Sequence, residues 1–251
     1  MTDINTVMVE RFYSARLEAV AKATANKELR TVKAAFTRAV RRGYLRENPG
    51  RYVKPVRVPQ KALRVLSTGD VGKLIEACPT DRWRAFIALA VTTGLRRGEL
   101  LALRWQDVDI NTMTVHVRNT ADHSTKSGKE RAVALQSAVV PLLQRLGRRG
   151  ALVFHTATGT SMANNIERGF NAIVKRAGIK RCTMHDLRRT FVSQLAMAGV
   201  NQAVVQQLAG HASITTTVRH YTHIMPEALR SATEKLPFSE AIASASMLTN
   251  C

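Results

Sequence analysis

The chain has 251 residues, 45% apolar and 22% charged, the balance of a globular protein with room for one large domain or two small ones. Three cysteines with no C-x-x-C exclude a disulfide framework and a zinc ribbon. No apolar run reaches membrane-spanning length, and acidic residues among the first 20 positions leave no readable secretory signal. Lys and Arg total 38 against 18 acidic residues, for a net charge of +20, which calls for a polyanionic partner: nucleic acid first, an acidic membrane surface second. With only 5% aromatic residues, broad stacking platforms for single-stranded bases are not expected. The charge is uneven. Residues 1–63 carry 14 basic and 5 acidic residues, 64–189 carry 21 and 10, and 190–251 carry 3 and 3.

In chain order, residues 5–24 and 26–43 read as two helices, the second with an apolar stripe of Ala35, Phe36, Ala39 and Val40 and a cluster of Arg38, Arg41 and Arg42 near its end. Gly43 and Asn48-Pro49-Gly50 stop the pattern. The aperiodic stretch 51–64 carries Lys54 next to Pro55, then Arg57 and Lys61, and reads as a basic, semi-extended linker with a domain boundary near residue 63. Helices are expected at 70–78, at 81–93 (Trp83, Phe86, Ile87, Leu89, Ala90; ended by Gly94) and at 97–104. Residues 112–119 alternate as a strand does and pair with a short strand at 131–135 across a long polar loop. Further helices are expected at 137–146, 162–177, 184–198, 201–209, 213–222 and 226–236. A small amphipathic tail helix follows at 239–248. The expected fold class is mainly α with a small antiparallel β-sheet.

Four segments hold residues able to do chemistry. In His185-Asp186-Leu187-Arg188, helical spacing puts His185 and Arg188 on one face, beside the stripe Leu187, Phe191, Leu195, Ala198. Both are assigned to the first turn, where free amides and the helix dipole favour an anion. The competing reading is a capped surface helix with a solvated charge. In Thr93-Gly94-Leu95-Arg96-Arg97-Gly98-Glu99, glycines bracket paired arginines whose forks suit a phosphate, and Glu99 is placed to orient one of them; a plain inter-helix turn is the alternative. The polar loop carries Lys126 and Lys129. Last come Gly210-His211 and Tyr221, flanked by His220 and His223. Those histidines match no usual zinc spacing, so no metal is expected.

Taken together and in this order, the segments resemble the tyrosine recombinases of the phage-integrase type. TGLRRGELLALRWQDVD (93–109) is similar to the family's first-arginine box, TKSGKERAVAL (125–135) to its β-hairpin, HDLRRT (185–190) to its H-x-x-R box and LAGHASITTTVRHYTH (208–223) to the box holding its nucleophile. ELRTVKAAFTRAVRRGYLRENP (28–49) resembles the end of the family's helical core-binding domain. The resemblance implies the DNA breaking-rejoining enzyme fold, with a partial core-binding domain over 1–50, a linker over 51–64 and a catalytic domain over 65–251. It implies Arg96, Lys126 (rather than Lys129), His185, Arg188, His211 and Tyr221 as catalytic residues, supported by Glu99, and DNA contacts from Arg38, Arg41, Arg42, Lys54, Arg57 and Lys61.

The implied activity is site-specific recombination of double-stranded DNA through a 3′-phosphotyrosine, integrating or excising a mobile element, with no cofactor, metal or ATP. A homotetramer on DNA is implied, its tail helix docking on a neighbour, with accessory DNA-bending proteins and a cytoplasmic location. A chromosome-dimer-type resolvase, a type IB topoisomerase-like enzyme and a non-catalytic DNA-binding protein are the alternatives. The His211-to-Tyr221 gap is one residue longer than the common family spacing, so a shifted or bulged tyrosine helix is expected. The likeness also begins inside the core-binding domain, as in a minimal or truncated recombinase without an arm-type domain.

Overall fold

The structure is a computed structural model that describes residues 4–59, 63–118, 130–148, 150–156, 159–210, 213 and 217. The chain divides into two units, Met1–Ala62 and Leu63–Cys251.

In the first unit, the Asn5 side chain accepts the Met8 amide at 3.1 Å and starts helix α1 (Thr6–Ala19). Helix α2 (Lys22–Arg41) follows after a two-residue break, five residues before the break expected from sequence. Two features set the break there. Val20 is extended (φ −138°), and the fully buried Ala25 and Leu29 begin the core stripe of α2 well before Ala35, where the sequence places its start. That stripe is Ala25, Leu29, Val32 and Phe36, packed with Val9, Tyr13 and Val53; Ala35, assigned to it from sequence, is exposed. The start of the basic linker belongs to this unit. Val53 is buried, and the Val56 amide donates to the Tyr13 hydroxyl at 2.8 Å. The Val56 carbonyl accepts from Asn26 Nδ2 at 2.8 Å, and Lys33 Nζ donates to the Val53 carbonyl at 3.0 Å. Hydrogen bonding of its backbone thus fastens a segment that has no apolar period.

The second unit is built around α4 (Asp81–Thr93), in which Ala85 through Ala90 are all buried. Thr80 caps its start, and α3 (Thr68–Glu76), capped by Ser67, packs beside it; that cap starts α3 two residues before the expected position. Phe86 stands edge-on to Trp83 and Phe154, with ring centroids 5.7 and 5.1 Å away. Helix α5 (Arg97–Ala102) leads through a single 3-10 turn, Trp105–Asp107, into β1 (Val108–Asp109), which pairs antiparallel with β2 (Thr114–Val117); β2 pairs antiparallel with β3 (Arg131–Ala134). Strand β1 is only two residues long, and sequence alternation cannot register so short an element.

Helices α6 (Val140–Gln144) and α7 (Ile166–Arg176) are shorter than expected because each is entered through a 3-10 turn. On α7, Ile166, Phe170, Ile173 and Val174 face the core. Helix α8 (Met184–Met197) packs along α4, and α9 (Gln202–Ala209) packs on α8 and β3. Of the helix expected at 213–222 only Ser213 and Thr217 are described; the helices at 226–236 and 239–248 lie outside the described residues. The architecture is mainly α with a three-stranded antiparallel sheet.

Candidate active site

The end of α4 is the first part of the site. Gly94 closes that helix in the left-handed conformation (φ +62°), and a side chain there would also overlap the ring of Phe191 on α8, so the crossing of the two helices requires glycine. The chain then turns out through Leu95 to Arg96, the N-cap of α5. Glu99, three residues on, reaches back: its Oε2 accepts the Arg96 amide at 2.7 Å and its Oε1 accepts Arg96 Nη1 at 2.8 Å. Arg96 is pinned at both ends, with 23% of its side chain left exposed.

The second part is α8. Thr183 and Asp186 form a capping box in which Asp186 Oδ2 accepts the Thr183 amide at 2.7 Å. The Asp186 carboxylate therefore occupies the anion seat at the start of α8 that the sequence assigned to a ligand. Arg188 is the fifth residue of the helix, so it stands in the second turn and not the first. It is buried, with Nη1 donating to the Gly94 carbonyl at 2.6 Å and Nη2 to the Ala209 carbonyl. Thr190 ties the helix down by donating to the Asp186 carbonyl and accepting the Leu66 amide, at 2.8 and 2.9 Å.

The third part is the end of α9, where Gly210 (φ +63°) closes the helix one residue before His211. Its carbonyl accepts Arg96 Nη2 at 2.6 Å. Arg96 and Arg188, distant in sequence, thus converge on neighbouring carbonyls of one helix terminus. They line a cleft of about 500 Å³ with Arg97, Arg181, His185 and Phe170, and Glu167 pairs with Arg97 at its rim. Its walls offer guanidinium forks and one imidazole, a set matched to a phosphate.

The electrostatics follow from burial. For Glu99, burial alone would raise the pKa; the bonds and charge of Arg131, with those of Arg96, outweigh it and hold the carboxyl at about 2. Burial pushes Arg188 down to about 9, helped by the neighbouring Arg96 charge, which still leaves it protonated at neutral pH. His185 is exposed on the surface of α8, yet partial desolvation, then the Arg189 and Arg188 charges, lower its pKa and favour the neutral ring. Burial raises the Cys78 and Cys182 thiols to about 11, and neither is a nucleophile.

Sequence reasoning did not single out Arg131. This residue of β3 places both Nη atoms on Glu99, at 3.0 and 2.7 Å, and its side chain is only 7% exposed. A signal was present: Arg131 is in register with the buried Val133 and Leu135, and a charge on the core face of a strand needs a partner. Lys126, His211 and Tyr221 lie outside the described residues, as does Lys61. Of the residues expected to contact DNA, Arg38, Arg41 and Arg42 are exposed on α2 and at its end, and Lys54 and Arg57 are exposed after it.

The chain matches the phage integrase family over residues 64–228. It is 32% identical to the tyrosine recombinase XerD of Ralstonia nicotianae over 88% of this chain and 75% of that protein. It is 31% identical to the integrase of Salmonella phage P22 over 69% of this chain and 48% of that protein. In fold it resembles the Tn1549 transposon integrase, solved with circular intermediate DNA, with a TM-score of 0.81, 22% identity, and coverage of 94% of this chain and 87% of that one. The chain belongs to the phage integrase family of tyrosine recombinases, and is a site-specific recombinase, a DNA strand-transferring enzyme.

Proposed function

We propose that the protein cleaves and rejoins duplex DNA through a 3′-phosphotyrosine on Tyr221, and that it integrates or excises a mobile element. Tyr221 Oη attacks the scissile phosphorus, and His185 takes the phenolic proton. The bond to the 5′-oxygen breaks, and Lys126 protonates that leaving oxygen. Arg96, Arg188 and His211 stabilise the charge that builds on the non-bridging oxygens. The phosphotyrosine conserves the energy of the broken linkage, so the exchange proceeds without ATP or a metal ion. A tyrosine hydroxyl titrates at about 10, so a cluster of positive charge and a neutral imidazole are the surroundings such a nucleophile needs.

The observation that carries this reading is the convergence of Arg96 and Arg188 on the carbonyls of Gly210 and Ala209, immediately before His211. His185 lines the same cleft. The mobile-element reading rests on similarity to the phage P22 integrase and on the fold shared with the Tn1549 transposon integrase. Strand exchange between two sites requires four active sites, so the working form is a homotetramer on DNA, with the 239–248 tail docked on a neighbour and accessory DNA-bending proteins assisting. The exposed Arg38, Arg41, Arg42, Lys54 and Arg57, with Lys61, hold the DNA backbone from the first unit. The helices of that unit form a core-binding domain (1–50), the linker over 51–64 begins within the same unit, and the catalytic domain covers 65–251. The enzyme works in the cytoplasm, where its buried Cys78 and Cys182 stay reduced.

Covalent capture tests the reading. The protein is incubated with a randomised or fragmented genomic duplex pool and denatured in SDS, and the DNA that stays attached is sequenced. Adducts at one enriched inverted repeat, absent with Tyr221→Phe, are the expected result. Adducts spread over unrelated sequences would replace the reading with a topoisomerase, and salt-sensitive binding without adducts would replace it with a DNA-binding protein.

A further inference from the structure

Three successive carbonyls at the end of α9 each accept from a different arginine. Leu208 accepts from Arg131 Nε at 3.1 Å, Ala209 from Arg188 Nη2, and Gly210 from Arg96 Nη2 at 2.6 Å. A helix end leaves such carbonyls without intrahelical partners, and here the partners come from β3, α8 and the start of α5. Arg131 differs from the other two. It is buried, it does not line the cleft, and it spends both Nη atoms on Glu99, the carboxylate that holds Arg96.

Charge makes the consequence concrete. With Arg96 alone, Glu99 would form a one-to-one pair and cancel the charge that a phosphate must meet. The bidentate pair with Arg131 neutralises Glu99 instead, so that the carboxylate orients Arg96 while Arg96 keeps its positive field for the cleft. Packing fixes the same point. A Cβ on Gly210 would come within 2.8 to 3.0 Å of three atoms of the Arg131 guanidinium, so the glycine lets that turn rest directly on Arg131. Arg131 is also the first residue of β3, paired with Val117 across the segment that contains Lys126.

We infer that Arg131 is a positioning residue for strand transfer. Through Glu99 it sets the direction and the free charge of Arg96, and through the Leu208 carbonyl it fixes the turn that ends α9 at Gly210. It does so without touching DNA. The assignment rests on the strand-transfer reading above.

The test measures three quantities with a labelled randomised duplex: the rate of covalent adduct formation at saturating DNA, the duplex affinity, and the thermal unfolding midpoint. If the wild type forms no adduct, strand transfer itself fails, and this is seen before any variant is compared. With wild-type adducts present, Arg131→Lys keeps the charge but loses the fork. It is expected to slow adduct formation about 10- to 100-fold, the range for loss of a residue that orients a reacting group, while duplex affinity stays within about threefold. The double variant Arg131→Lys with Glu99→Gln should be little slower than the slower single variant, because both act through one pathway. Gly210→Ala, which pushes on Arg131 without changing any charge, should slow the rate about tenfold at unchanged affinity and serves where Arg131→Lys fails to fold. A folded Arg131→Lys or Gly210→Ala protein that cleaves at the wild-type rate would overturn the inference. So would a parallel loss of affinity, which would make Arg131 a direct DNA ligand, or additive effects in the double variant.

Discussion

Arginines on the two units of this chain do different physical work. On α2 and at its end, Arg38, Arg41 and Arg42 are exposed and their charges solvated. In the second unit, Arg188 and Arg131 are buried and Arg96 is half-buried, each with its donors committed to carbonyls or to Glu99. An exposed guanidinium contributes long-range attraction that salt screens. A buried one costs desolvation that its partners must offset, and in return it holds a direction in advance of any ligand. Net charge alone therefore does not tell binding from chemistry, whereas commitment of the fork does.

The largest effect is expected at Glu99. Glu99→Gln leaves Arg131 buried without its counter-charge and should lower stability by about 3 to 5 kcal/mol, read as a drop in the denaturant midpoint. The pH dependence has a definite sign. The Glu99 carboxyl sits at about 2 in the folded chain against an ordinary value near 4.5, so the unfolded chain takes up its proton first. The stability it contributes is complete above pH 4.5 and is lost as the pH falls from there toward 2. Glu99→Gln should flatten that acid limb in urea titrations at stepped pH. Next in size, Arg188→Ala should slow adduct formation about a hundredfold or more at saturating DNA, the effect typical of removing one preorganised transition-state donor. The smallest effect is expected on α2. Arg38→Gln, Arg41→Gln and Arg42→Gln together should weaken duplex binding at all sequences alike and reduce the salt slope by about one for each phosphate no longer met by a charge.

How much of this was legible in the sequence varies with how local the determinant is. Helix α4 was readable because a strongly apolar run ends at Gly94, and the β2–β3 hairpin because alternation marks the first strand and a polar loop separates it from a short second one. The break at Val20 was not, since the helical period runs through it and only the burial of Ala25 and Leu29 in three dimensions decides where α2 starts. At the site, the spacing of His185 and Arg188 was visible, but the occupant of the α8 N-terminus was not. Asp186 lies between those two residues as any surface acid could, and its bond to the Thr183 amide exists only once the turn is built. Arg131 was hidden for a related reason. Its partner Glu99 is 32 residues away, so no local pattern announces the pair. Only a charge in register with Val133 and Leu135 hinted at it.

The division between committed and solvated arginines is tested most directly by one single-turnover experiment. Adduct formation on duplex DNA is followed against DNA concentration for wild type, Arg188→Ala and the triple Arg38→Gln, Arg41→Gln, Arg42→Gln variant. Arg188→Ala is expected to lower the plateau rate about a hundredfold with half-saturation little changed. The triple variant is expected to shift half-saturation to higher DNA and leave the plateau rate in place. A triple variant with the lower plateau, or an Arg188→Ala protein impaired only in half-saturation, would contradict that division.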